Sequence, residues 1–363
     1  MKKTILFVMM CVGLLSNVWA GGSLLTYVPN NADLIMGLRV TDLMNLPLVK
    51  EMRLNDKDFA EKYIAFEKEL EKVGVSAKDM PPMAVVFSRQ DRAYWGIVMN
   101  ATIPEAKFVE LLKTKLKSGY NVDYSIEKIN GQTVYCLENK SEKAGEPAVD
   151  PSMLGQKDMK KIGVFYLKPD VAMVTDFQEA ARVLAEIKKG NSKLFIDKSG
   201  IDQSAPAWVV YHPAAPAAAA NTPEQASFKM FNSLGLALNF NGAERKDIAL
   251  DALIDCKDQN AAAMMTMQAQ GMVMFGLSSA FKNNPALASD VSNALKIQTD
   301  GSKVKAHLQL PEKLHKQIKD YLVANGPDSQ APAAGGGELD IAPVSKPVPL
   351  NNATPSAKVD VVK

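Results

Sequence analysis

Along residues 234–256 apolar and polar side chains alternate with a period of two. Ile248, Leu250, Ala252 and Ile254 fall on one face, with Asp251 and Asp255 on the other. Leu234, Leu236, Leu238 and Phe240 alternate with Gly235, Ala237 and Asn239 in the same way. Both runs predict half-buried antiparallel strands. Asn241-Gly242 between them tolerates positive φ, so the spacing predicts a hairpin with the polar tip AERKD. Asp258 then caps a helix rich in Ala, Met and Gln. Residues 84–117 repeat the succession: an apolar run, a polar tip at Ser88–Arg92, a second apolar run, and a helix entered at Thr102. Pro104 stands near the start of that helix, where its missing N–H costs little, and Phe108, Leu111, Leu112 and Leu116 form its inner stripe.

The same reading extends over the rest of the chain. ADLIMGLRV (32–40) predicts a first strand. In 58–73, Phe59, Tyr63, Phe66, Leu70 and Val73 repeat at helical spacing, with Gly74 as C-cap. Residues 123–138 predict a hairpin turned at Asn130-Gly131, and 141–160 a surface loop. IGVFYL (162–167) and VAMVTD (171–176) predict a strand pair, followed by a helix that Gly190 ends. AWVVYH (207–212) opens a second half. PAAPAAAANTP (213–223) is a low-complexity loop, and a short helix around Glu224–Asn232 leads to the opening stretch. Pro285 restarts a helix, Asp300-Gly301 turns a further hairpin, and 311–322 predict a last helix. In element order this last hairpin takes the place of the Asn130-Gly131 hairpin. The fold class expected is α+β: two related halves, 21–190 and 191–325, each an antiparallel sheet with helices packed on one face. Residues 326–363 hold six prolines, the run Gly335-Gly336-Gly337 and no aromatic residue, so a disordered tail is expected.

The stretch GVFYLKPDVAMVTDFQEAARVLAEIKKGNSKLFIDKSGIDQSAPAWVVY resembles a passage of large, uncharacterised secreted bacterial proteins of the domain-of-unknown-function type. In these a strand pair leads to a helix, a Ser-x-Leu segment and a strand opening a second half. The opening PNNADLIMGLRV is similar too. Over residues 24–323, in element order, the resemblance implies an envelope location and a duplicated α+β architecture. It brings no catalytic signature and implies no activity.

Residues 1–20 predict a secretory leader. Lys2 and Lys3 precede the apolar run Ile5–Leu15, and Val18-Trp19-Ala20 suits cleavage before Gly21. Without Lys2 and Lys3 the 42 basic residues become 40, against 40 acidic ones, so the mature chain is neutral. That balance predicts no general attraction to nucleic acid. No later stretch is long and apolar enough to span a bilayer. The expectation is an exported protein, periplasmic or extracellular.

Chemistry is sparse. No Gly-x-Ser-x-Gly elbow, His-Glu-x-x-His, Walker loop, dinucleotide fingerprint or Cys-x-x-Cys occurs. No metal and no cofactor is expected. His307 and His315 read as solvated residues. His212 ends a buried strand before Pro213 and is the one histidine placed as a polar site residue. Cys136 and Cys256 either pair, as an oxidising compartment allows, or are two separately buried thiols. Met264, Met265, Met267, Met272 and Met274 crowd one helix. Core packing is the plain reading, since Met fills irregular gaps. Cu(I) ligation by thioethers is a second. A third is an adaptable apolar surface at Met264, Met267, Met272, Met274 and Phe275 for an apolar small molecule or an envelope protein. The function expected is therefore non-catalytic binding or scaffolding. A carrier or chaperone for an apolar ligand, lipid or peptide, in a groove lined by the Met-rich helix, and a hydrolase with a site assembled from distant residues stand as alternatives.

Overall fold

The computed structural model describes residues 24–72, 80–89, 94–116, 122–139, 161–190, 196–213, 230–242 and 244–325. The leader, the loop 141–160, most of the short helix at 224–232, Gly74 and the tail 326–363 lie outside the described residues. Residues up to Ile318 belong to one compact unit. Lys319 onward form a second, whose described part is the end of a helix.

A single antiparallel sheet of twelve strands organises the first unit. The strands are β1 (Leu34–Leu38), β2 (Ala84–Arg89), β3 (Tyr94–Asn100), β4 (Val122–Ile129), β5 (Gln132–Asn139) and β6 (Lys161–Lys168). They continue with β7 (Val171–Asp176), β8 (Ala207–Tyr211), β9 (Phe231–Asn241), β10 (Asp247–Cys256), β11 (Leu295–Asp300) and β12 (Lys303–Leu310). Their order across the sheet is β11-β12-β10-β9-β8-β1-β2-β3-β7-β6-β5-β4. The α+β class with antiparallel pairing is thus the observed one. The two sequence halves share the sheet, joined where Met36 of β1 lies opposite Val209 of β8.

The order also shows how the halves correspond. β1-β2-β3-β7-β6 runs outward on one side of the seam and β8-β9-β10-β12-β11 on the other. The counterpart of the Asp300-Gly301 hairpin is therefore β6–β7, and not the Asn130-Gly131 hairpin expected from element order. The reason lies in pairing: β12 returns to β10 as β7 returns to β3, while β4–β5 adds an outer pair beyond β6. Turn chemistry follows the sequence. Asn130 and Gly131 have φ of 52° and 82°, as a tight hairpin requires.

The helices are α1 (Val40–Met44), α2 (Pro47–Asn55), α3 (Lys57–Lys72), α4 (Glu105–Leu111), α5 (Ala180–Lys188), α6 (Ile196–Ser199), α7 (Gln259–Ala280), α8 (Pro285–Ala294) and α9 (Glu312–Asn325). In the first half both sheet faces are covered. On one, Phe108, Leu111 and Leu112 of and after α4 pack on Trp95, Met99, Leu137, Val164 and Val174. On the other, Ala180, Val183 and Leu184 of α5 join Phe87, Val98, Phe165 and Met173. That second core crosses the seam, because Trp208, Val210 and Ala237 belong to it together with Ile35 and Val85. Two cross-strand partners make the crossing tight. A Cβ on Gly37 would lie 2.2 Å from Trp208 Cε2, and one on Gly96 2.2 Å from Phe87 Cζ. Each glycine thus leaves the floor on which an aromatic ring lies.

In the second half the faces differ. Opposed residues in a ladder share a face. Leu236, Ala252 and Ala306 line up across β9, β10 and β12, as do Leu238, Leu250 and Leu308. The reverse face carries Asp251 with His307 and Asp255 with Lys303. The alternation expected for 248–256 is the one seen. One face is apolar along its length, while the reverse face mixes these charges with Ala237, Gly235 and Leu253, which pack with Ile201 after α6.

Candidate docking surface

Helix α7 lies on that apolar face. It begins where Asp258 accepts a hydrogen bond from the Ala261 N–H (2.8 Å), the cap read from the sequence. Ala261, Ala262 and Met265 pack on Leu234, Ile254, Ile297 and Val304. The inner seam continues through Ala269, Val273 and Leu277, each half-buried, to buried Phe281. The Thr266 and Thr299 hydroxyls, 2.8 Å apart, fasten the helix to the edge strand β11.

The opposite side of the same helix is apolar as well. Met264 is 49% exposed, Met267 65%, Met272 69%, Met274 58% and Phe275 79%. At 3.6 residues per turn, Met264, Met267, Gly271, Met274 and Phe275 share one outer face, with Met272 at its margin. Core packing, the plain reading of these methionines, is therefore wrong for these four: only one helix face can meet the sheet, and Met265 occupies it. From Gln259 to Ala280 the helix has no charged residue. A cavity of about 350 Å³ opens beside the stripe between α7 and α8, lined by Met274, Leu277, Phe281, Lys282, Pro285 and Ala288 among others.

From Gly271 to Leu277 the helix has no polar side chain on any side, as is usual for a helix buried in a core or a membrane. Among the described residues, no helix is long and apolar enough to cross a membrane. Fully covering a large apolar side chain gains roughly 1.5–3 kcal/mol. Four such side chains on one face, with Met272 at its margin, form a patch rather than scattered apolar exposure.

The other expected residues are placed elsewhere. His212 extends the β1–β8 ladder, its backbone N–H donating to Asp33 O at 2.7 Å, and it lines none of the cavities described here. Cys136 on β5 and Cys256 on β10 are buried, free thiols. Eight strand steps separate them, roughly 38 Å along the sheet at the usual strand spacing, so the disulfide reading is overturned. Burial pushes both thiols above the ordinary value. Asp255 and Asp258 add to the shift at Cys256.

Sequence reasoning missed one polar constellation. His307 Nδ1 lies 2.6 Å from Asp251 Oδ1, on directly opposed positions of β12 and β10. The strands are separated by two helices in sequence, so only the pairing brings the two together. His307 lines a cavity of about 600 Å³ with Asp290, Lys296, Gln309, Lys313 and Gln317. The residues lining that cavity include no Ser, Thr or Cys, but Lys296, the ladder partner of His307, and Lys313 are among them. A smaller apolar exposure, Leu54 and Ile64 between α2 and α3, sits beside Arg53, whose guanidinium lies 3.8 Å from the Tyr63 ring centre.

Architecture and surface together define an α+β protein with one continuous antiparallel sheet and an uncovered apolar helix face. No protein-family model and no curated protein matches the chain. Among solved structures, crystal form I of TP0453 aligns with a TM-score of 0.40 and 12% identity, covering 84% of this chain and 99% of that one. Crystal form III of TP0453 aligns with a TM-score of 0.40 and 11% identity, covering 81% and 96%. At that level the likeness carries no argument.

Proposed function

We propose that the chain is an exported, non-catalytic binding or scaffolding protein that docks an apolar partner on the outer face of α7. The observation that carries this reading is the Met264–Phe275 stripe: large, uncharged and exposed on a helix whose other face is already packed. Methionine suits such a surface, because its flexible thioether adapts to differently shaped partners. The partner class proposed is an envelope protein with a complementary apolar patch. A second reading is a small apolar ligand, favoured by the cavity between α7 and α8 that abuts Met274.

The test is recovery from the native envelope of wild type and of the double variant Met267→Asp/Phe275→Asp. Both positions are exposed, so the variant keeps its fold, as circular dichroism would verify. A partner retained by wild type and lost from the variant is expected. Equal retention by both would remove α7 as the docking surface. Recovery of a small molecule alone would favour the second reading.

A further inference from the structure

Every exposed methionine among the described residues lies on α7: Met264, Met267, Met272 and Met274. Met99 and Met173 are fully buried. The competing sulfur is withheld too. Cys136 and Cys256 are buried, and burial raises their pKa, so reactive thiolate is scarce. A thioether needs no ionisation, and its reaction with a two-electron oxidant is governed by access. Four accessible thioethers therefore stand on the one face read above as a docking surface.

We propose that α7 is the main oxidation site among the described residues, and that sulfoxidation of Met264, Met267, Met272 and Met274 turns the docking stripe off. The oxidant is a peroxide. The sulfur lone pair attacks one peroxide oxygen and the O–O bond breaks. The transferred oxygen gives up its proton to the departing hydroxide. The thioether is oxidised by two electrons to the sulfoxide and hydrogen peroxide is reduced to water, with no proton drawn from the protein. Each product side chain carries a strong acceptor oxygen in place of an apolar sulfur. An apolar partner covering the stripe would strip water from up to four such oxygens without pairing them, which disfavours binding. The reverse step belongs to a methionine sulfoxide reductase, whose dithiol becomes a disulfide as the oxygen leaves as water. The switch rests on the docking reading, whereas the site selectivity does not.

The experiment treats the mature protein with stepwise equivalents of hydrogen peroxide and maps sulfoxides by peptide mass spectrometry. Met264, Met267, Met272 and Met274 are expected to convert at least tenfold faster than Met99 and Met173. Even conversion across all methionines overturns the proposal. Binding of the neutral apolar dye Nile red is then measured for unoxidised wild type, oxidised wild type, and an oxidised variant with all four positions changed Met→Leu. Dye affinity is expected to fall at least tenfold on oxidation of wild type and to persist in the leucine variant. Undiminished dye binding by wild type fully oxidised on α7 overturns the switch. If unoxidised protein binds no dye, the docking reading falls and the switch with it, whatever the sulfoxide map shows.

Discussion

At the scale of single residues, close contacts set the costs. Gly37 leaves Trp208 no clearance for a Cβ, so Gly37→Ala is expected to destabilise the fold by about 1–3 kcal/mol in urea unfolding, the usual cost of overpacking. An unchanged midpoint would show that Trp208 moves aside freely. Asp176 offers a pH test. Burial raises its carboxyl pKa, partly offset by the Gln178 N–H that it accepts. Ionising it therefore costs more in the folded chain than in the unfolded one. Its effect favours the fold at low pH, where it is protonated in both states, and that advantage is lost as pH rises through the raised folded value. Asn at this position keeps the acceptor and carries no charge. The stability of Asp176→Asn relative to wild type is thus expected to improve from acid toward neutral pH, measured by urea unfolding at both ends. A relative stability that falls over the same range would reverse the assignment.

At the scale of elements, α7 separates two kinds of methionine. Met265 packs on the sheet, so Met265→Ala is expected to cost about 1–2 kcal/mol, below the range for a fully buried methionine. Met267→Ala, on the outer face, is expected to stay within about 0.5 kcal/mol. Thermal unfolding of the pair decides it, and equal losses would mean that the outer face is covered in the free protein. This helix also marks the limit of what the sequence shows. The strand alternation, the Asn130-Gly131 turn and the Asp258 cap are local, and each was legible because neighbouring residues decide it. Which side of α7 meets the sheet was not legible, because its methionines fall on both sides and leave no clear apolar period to point inward. The His307–Asp251 pair was hidden for a different reason. It depends on β12 pairing with β10, a contact across 56 positions. The same non-local pairing led element order to match the last hairpin with the wrong one in the first half.

At the scale of the whole molecule, the seam between β1 and β8 governs cooperativity. The core formed by Phe87, Val98 and Phe165 continues into Trp208, Val210 and Ala237, so neither half closes its core alone. Unfolding of the described sheet is expected to be one transition, coincident by calorimetry and by the fluorescence of Trp95 and Trp208, which report opposite faces. Two separated transitions would mean that the halves fold independently despite the shared ladder. The first unit is then one continuous sheet whose first half carries a packed core on each face. Its second half presents one helix with apolar surface to spare.

The most direct test of that account is site-specific photocrosslinking in the native envelope. A benzophenone amino acid replaces Phe275 on the stripe, and in a separate chain Gln298, exposed on the polar side of β11. A discrete adduct from position 275, with none from position 298, is the expected result. No adduct at 275, or the same adducts from both positions, would contradict α7 as the docking surface.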